Sequence, residues 1–201
     1  TELGEVPPSS TLVFDIKTGA IHEELDFIPH RGPGSAPKSL GEAVQTFSGL
    51  FENSVRASLQ SDVPVGLFLS GGVDSALVGI YAQKAGANLK AFTIGFEESS
   101  FDESGVATRI AQHVGFPHIV HRMKASDIER DLLSILDSFG EPFGDTSALP
   151  TYYLSKIAKG HGVKVVLGGD GADEVFGGYP THELPQITAL YRYLPNVSDK
   201  A

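Results

Sequence analysis

Apolar residues follow two rhythms along this chain, one helical and one extended. Leu40, Val44, Phe47, Phe51, Val55 and Leu59 recur at three- and four-residue steps, which predicts a helix with one buried face. Ser39, with Glu42 three residues later, supplies a capping box to open it. Residues 65–69 are a short, continuously apolar run that reads as a strand. Residues 73–84 then read as helix, 89–94 as strand, 103–114 as helix and 118–121 as a short strand. Ser126 with Glu129 marks a second capping box, opening a helix to about residue 139, and residues 152–159 are helical up to Gly160 and Gly162. Residues 163–167 form a third strong strand. Strands alternate with helices and are apolar throughout, so the expected fold is α/β: a doubly wound, mostly parallel sheet with flanking helices.

Upstream, two apolar stretches within residues 11–25 flank Lys17, Thr18 and Gly19, the pattern of a β-hairpin. The adjoining HRGPGSAPKS is rich in Gly, Pro and Ser and reads as a linker, which places a boundary near residue 37. An isolated hairpin is marginal in water, so this first segment is expected either to pack on the rest of the chain or to be the remnant of another domain. In 201 residues, a 41% hydrophobic content is enough for one domain with a sizeable core. The formal net charge of -10 argues against a broad basic surface for nucleic acid. There is no cysteine, which excludes disulfides, thiolate metal sites and a cysteine nucleophile. No apolar run reaches the roughly 18 residues of a membrane span, and no signal peptide is visible. A cytoplasmic protein with no membrane or nucleic-acid partner is therefore expected.

The chemistry lies in the loops at the strand ends, because parallel α/β sheets bind ligands beyond their carboxyl ends. The first strand runs into SGGVDS, residues 70–75, and then a helix. Gly71 and Gly72 let the backbone turn tightly and approach a ligand. The helix start offers unpaired N–H groups, and Ser70 and Ser75 add hydroxyls, a combination suited to an anion such as phosphate. Asp74 would oppose an anion unless Mg²⁺ bridged them. An ordinary glycine turn is the alternative, and a Walker A loop is a poor one because no Gly-x-x-x-x-Gly-Lys-Ser/Thr occurs and no Lys follows the glycines. The third strand runs into GGDGADEVFGGY, where Asp170, Asp173 and Glu174 crowd a glycine-rich loop. Carboxylates this close repel one another unless they bind a cation or share protons. Gly95, after the second strand, either lets something flat or bulky lie against the backbone or is a turn glycine. His118 and His121 read as packing or surface groups.

FLSGGVDSALV resembles the pyrophosphate-binding loop of the ATP pyrophosphatase superfamily, and VVLGGDGADEVFGGY resembles the second signature of the asparagine synthetases. AFTIGFEESSFDES and EPFGDTSALPTYYLSKIAK look like the same family, so the resemblance covers roughly residues 38–180. It implies an adenine nucleotide α-hydrolase-like fold and a defined reaction. Aspartate's side-chain carboxylate attacks ATP at the α-phosphate, pyrophosphate leaves, and ammonia displaces AMP from the acyl-adenylate. By resemblance, Ser70, Gly71, Gly72, Asp74 and Ser75 hold the pyrophosphate portion. Leu69, Ile94, Gly168 and Gly169 line the adenosine pocket, largely through backbone atoms, and Asp74 and Asp173 bind Mg²⁺. Asp170 stands where many relatives have Glu and helps position or deprotonate the incoming nitrogen. Complete relatives begin with a glutaminase domain that releases ammonia from glutamine. Residues 1–37 are accordingly expected to be the tail of such a domain. Residues 38–201 are then the ATP-binding synthetase domain, cut short before a Lys that relatives contribute. A related cyclase acting through the same acyl-adenylate, and an inactive nucleotide-binding module, are the alternatives; a homodimer is left open.

Overall fold

The computed structural model describes residues 6–25, 36–140 and 144–183. Part of the predicted linker and the run from residue 184 onward lie outside the described residues. Contacts cluster the chain into two units, residues 1–45 and 46–201. In the first, β1 (Ser10–Phe14) pairs antiparallel with β2 (Ile21–Leu25), Phe14 opposite Ile21. The Asp15 carboxylate accepts the Lys17 and Thr18 N–H groups at 2.8 and 3.1 Å, and Gly19 adopts φ +70° to close the turn.

The second unit holds a four-stranded sheet of β3 (Val65–Phe68), β4 (Lys90–Phe96), β5 (His118–Met123) and β6 (Val165–Leu167). The spatial order is β5-β4-β3-β6, and every pair is parallel. Helices α2 (Val73–Lys84) and α3 (Ser104–Val114) carry β3 to β4 and β4 to β5. The chain then returns through α4 (Ala125–Phe139) and α5 (Ala148–Gly160) to place β6 on the other side of β3. The winding therefore reverses between β3 and β6, which leaves a crevice beyond their carboxyl ends.

Alternate strand residues feed opposite layers. Leu67 and Ala91 pack with Val78, Ala82, Ala107 and Ala111 of α2 and α3. Phe92 packs with Ala158 and Val163, and Ile94 with Met123, Ile135 and Tyr153, which covers the other face with α4 and α5. The sheet is thus buried on both sides, as its continuously apolar strands require. No helix among the described residues is long and apolar enough to cross a membrane.

Several local expectations shift. In α1 (Leu40–Ser58) half of the capping box forms: Ser39 Oγ accepts the Glu42 N–H at 3.1 Å, but the Glu42 carboxylate accepts the N–H of Lys38, one residue before the cap, at 2.8 Å. Only the later part of its apolar face is covered. Val55 is 5% exposed, whereas Leu40 and Val44 are 82% and 55% exposed. Periodicity fixes which face is apolar, not what lies over it. Helix α4 begins at Ala125, ahead of the expected Ser126–Glu129 box; there the Asp127 carboxylate accepts the Lys124 N–H at 3.3 Å. Helix α5 begins at Ala148 rather than residue 152, because Pro150 sits in the first turn, where its missing N–H is not needed. The Asp145 carboxylate accepts the Ser147 N–H at 2.8 Å just ahead of it. Strand β4 runs on to Phe96, so Gly95 lies inside a strand, opposite Arg122.

Gly66 in β3 lets β4 and the segment ahead of β6 pack closely against the strand. A Cβ there would stand 2.9 Å from Val163 Cγ1, 3.0 Å from Phe92 Cε2 and 3.2 Å from the Lys90 carbonyl. Gly66→Ala should therefore cost roughly 1–3 kcal/mol through overpacking, read as a lowered denaturation midpoint. An unchanged midpoint would contradict the close packing.

Candidate functional site

The loop after β3 is held in shape by its own hydroxyls. Ser75, 5% exposed, accepts the Ser70 N–H at 3.1 Å and lies 2.8 Å from the Ser70 hydroxyl. Ser70 Oγ in turn accepts the Gly72 N–H at 3.0 Å. Gly72 is extended (φ -76°, ψ 158°) and opens α2 with no side-chain cap. The helix therefore begins with its positive dipole end uncapped by any side chain.

The loop after β6 lies against that helix start. A Cβ on Gly169 would stand 2.7 Å from the Ser75 backbone N and 2.9 Å from Asp74 Cβ, so only glycine allows the approach. Gly171 adopts φ +85° and turns the chain into α6 (Ala172–Phe176). Asp170 folds back over Gly168, its Oδ2 2.9 Å from where a Cβ on that glycine would sit. Asp173 fills the space beside Gly178. Glu174 accepts the Tyr179 hydroxyl at 2.8 Å. That hydrogen bond holds the Glu174 carboxyl below its ordinary value and raises the Tyr179 phenol. Asp170, Asp173 and Glu174 all line one cavity. Among the described residues, no group of three or more His, Asp or Glu side chains is placed to hold a metal ion.

Leu69, Ser70, Asp74, Ser75, Ile94, Gly168, Gly169, Asp170 and Asp173 all line one cavity of about 690 Å³. Gly71 and Gly72 are not among its lining residues; Gly71 packs against Glu103 and Val106 instead. Asp74 and Asp173 reach the same cavity from the first turns of α2 and α6. A carboxylate pair suits Mg²⁺, which commonly takes one or two protein carboxylates and completes its shell with phosphate oxygens and water. Leu69 is 3% exposed and its backbone is already engaged. Its N–H donates to the Phe92 carbonyl at 2.9 Å, and its carbonyl accepts the Thr93 hydroxyl at 2.5 Å. Because that hydroxyl donates to Leu69, the 2.7 Å contact from Thr93 to His118 Nε2 is donated by the imidazole. Burial keeps His118 below its ordinary pKa. Gly95 lies within β4 rather than in a turn, and Asp102 Oδ1 and Ser104 Oγ lie 3.3 Å from a Cβ placed there.

Sequence reasoning missed Thr93, Glu103 and Asp145, which also line the cavity. Thr93 is a polar residue inside an apolar strand, and that is the one signal that could have singled it out. Glu103 reaches a loop 32 residues away, a pairing with no local signature.

The family profile described as asparagine synthase matches residues 46–200. The chain is 38% identical over 144 residues to asparagine synthetase [glutamine-hydrolyzing] 1 of Bacillus subtilis, covering 72% of this chain and 23% of that protein. It is 32% identical over 158 residues to asparagine synthetase B [glutamine-hydrolyzing] of Escherichia coli, covering 70% and 28%. The chain thus spans about a quarter of the length of these relatives. Among solved structures it is similar to an NMN synthetase from Francisella tularensis, 22% identical, TM-score 0.49, covering 67% of this chain and 58% of that one.

The Glu174–Tyr179 pair makes a pH-dependent prediction. A lowered folded-state pKa gives stability that is present above the unfolded value and lost as pH falls through the folded value. Tyr179→Phe should raise the Glu174 carboxyl midpoint toward an ordinary glutamate, as read by carboxyl ¹³C NMR, and should narrow the acid range over which this contact adds stability. The nearby His182 acts in the same direction and should leave a smaller residual shift. An unmoved midpoint would contradict the pairing.

Proposed function

The chain belongs to the asparagine synthase family, and on that premise we propose that it is the ATP-binding part of an enzyme that makes asparagine from aspartate. Residues 38–201 act as the synthetase domain, and residues 1–37 as the tail of a preceding glutaminase domain. The observation that carries this reading is the meeting of two glycine loops at the β3–β6 crevice, with Asp74 and Asp173 in the same cavity. Ser70, Gly71, Gly72 and Ser75, with the start of α2, hold the two outer phosphates of ATP through N–H and hydroxyl donors. Leu69, Ile94, Gly168 and Gly169 line the adenosine end. Because the Leu69 N–H and carbonyl are engaged within the sheet, Leu69 contributes mainly shape there.

Asp74 and Asp173 hold Mg²⁺, which when bound neutralises charge on the phosphates and on departing pyrophosphate. The aspartate side-chain oxygen attacks the α-phosphorus, the bond to the β-phosphate oxygen breaks, and an acyl-adenylate remains. Ammonia then attacks the acyl carbon and AMP leaves with the bonding electron pair. Asp170, which lines the cavity, orients that nitrogen and accepts a proton from it. Glutamine is the source of the ammonia, in keeping with the glutamine-hydrolysing relatives, and the cytoplasm is the compartment.

The natural gene product, given aspartate, ammonia, ATP and Mg²⁺, should release AMP and pyrophosphate only when aspartate is present. Asp74→Asn and Asp173→Asn should each lower that rate by on the order of 100-fold or more, the scale of losing one electrostatic contact at a transition state. Aspartate-independent release, or full activity in both variants, would contradict the assignment.

A further inference from the structure

Gly71 stands apart from the other donors of the 70–75 loop. The Ser70 and Gly72 N–H groups are satisfied by hydroxyls of the loop itself, whereas the Gly71 N–H donates to Glu103 Oε2 at 3.1 Å. Glu103 lines the same cavity as Asp74 and Asp173. Its carboxylate covers the amide of the residue that follows Ser70, and Ser70 lines that cavity.

Resting on the nucleotide reading of this cavity, we propose that Glu103 is a positioning residue: its carboxylate competes with pyrophosphate for the Gly71 amide and so favours pyrophosphate's departure after adenylation. One N–H cannot serve two anions well, and two anions so close repel each other. The backbone of Glu103 is anchored, since its carbonyl accepts the Val106 and Ala107 N–H groups at 3.0 Å each. Its side chain is exposed, so it can turn into water when phosphate arrives and return to the same amide when phosphate leaves. Gly71 is shaped to receive it: a Cβ there would lie 3.0 Å from Glu103 Cβ and 3.3 Å from Val106 Cβ. Before the reaction, binding of the whole nucleotide offsets the displacement of Glu103. After adenylation, pyrophosphate is held by the loop and the metal alone, and the competing carboxylate then counts most.

The test is calorimetric titration of the chain, of Glu103→Ala and of Glu103→Gln with pyrophosphate in Mg²⁺, and separately with AMP. A charge-assisted hydrogen bond is at stake, so Glu103→Ala should bind pyrophosphate about tenfold more tightly. Glu103→Gln, which keeps an acceptor but loses the charge, should fall between it and the unaltered chain. AMP affinity should stay the same in all three, a split that a merely structural role would not produce. Pyrophosphate binding that is unchanged or weaker in both variants, with AMP binding intact, would overturn the role of Glu103 alone. If the unaltered chain binds neither ligand, the nucleotide reading fails and this inference with it.

Discussion

The approach of Gly169 to the backbone at the start of α2 is the contact on which the site depends. A Cβ at that position would fall 2.7 Å from the Ser75 nitrogen, closer than any side chain tolerates. The sheet supplies the other half of the constraint. Leu67 pairs with Leu167, so β3 and β6 end level and release their loops side by side. Because β6 returns to the far side of β3, no connecting helix crosses the gap, and the two loops close on each other directly. Asp74 and Asp173, about a hundred residues apart in the chain, reach one cavity only because of that closure.

Electrostatics then sets what such a cavity can accept. The chain carries a formal net charge of -10, so an anion is held only where local donors outweigh the general field. The β3 loop leads into a helix start with no side-chain cap and is already ordered by the Ser70–Ser75 hydrogen bonds. Groups ordered in advance need no rearrangement when charge develops. Glu174 accepts the Tyr179 hydroxyl and Asp170 folds over Gly168, while both line the same cavity as Asp74 and Asp173.

The strand–loop–helix units were legible because apolar runs end abruptly in glycine, and the alternation of helix and strand was enough to name a parallel sheet. The order of the strands was not legible, since each apolar run fits any interior position. Gly95 misled because a glycine near a strand end looks the same whether it turns the chain or makes room for Asp102 and Ser104. The contacts of Leu69 with Thr93 and of Gly71 with Glu103 join residues 24 and 32 positions apart, and nothing local announces them. In α1 the periodicity marked an apolar stripe correctly, but burial depends on what lies opposite, and Leu40 and Val44 remain exposed.

If the two glycine loops form one anion site, they must respond to one ligand together. Titration of the ¹⁵N-labelled chain with pyrophosphate in Mg²⁺, monitored by amide NMR, measures this directly. The amides of Gly71 and Gly72 and those of Gly169 and Gly171 should shift along a single saturable curve with one dissociation constant. Shifts confined to one loop, or two loops saturating at separate affinities, would contradict a shared site at the β3–β6 crevice.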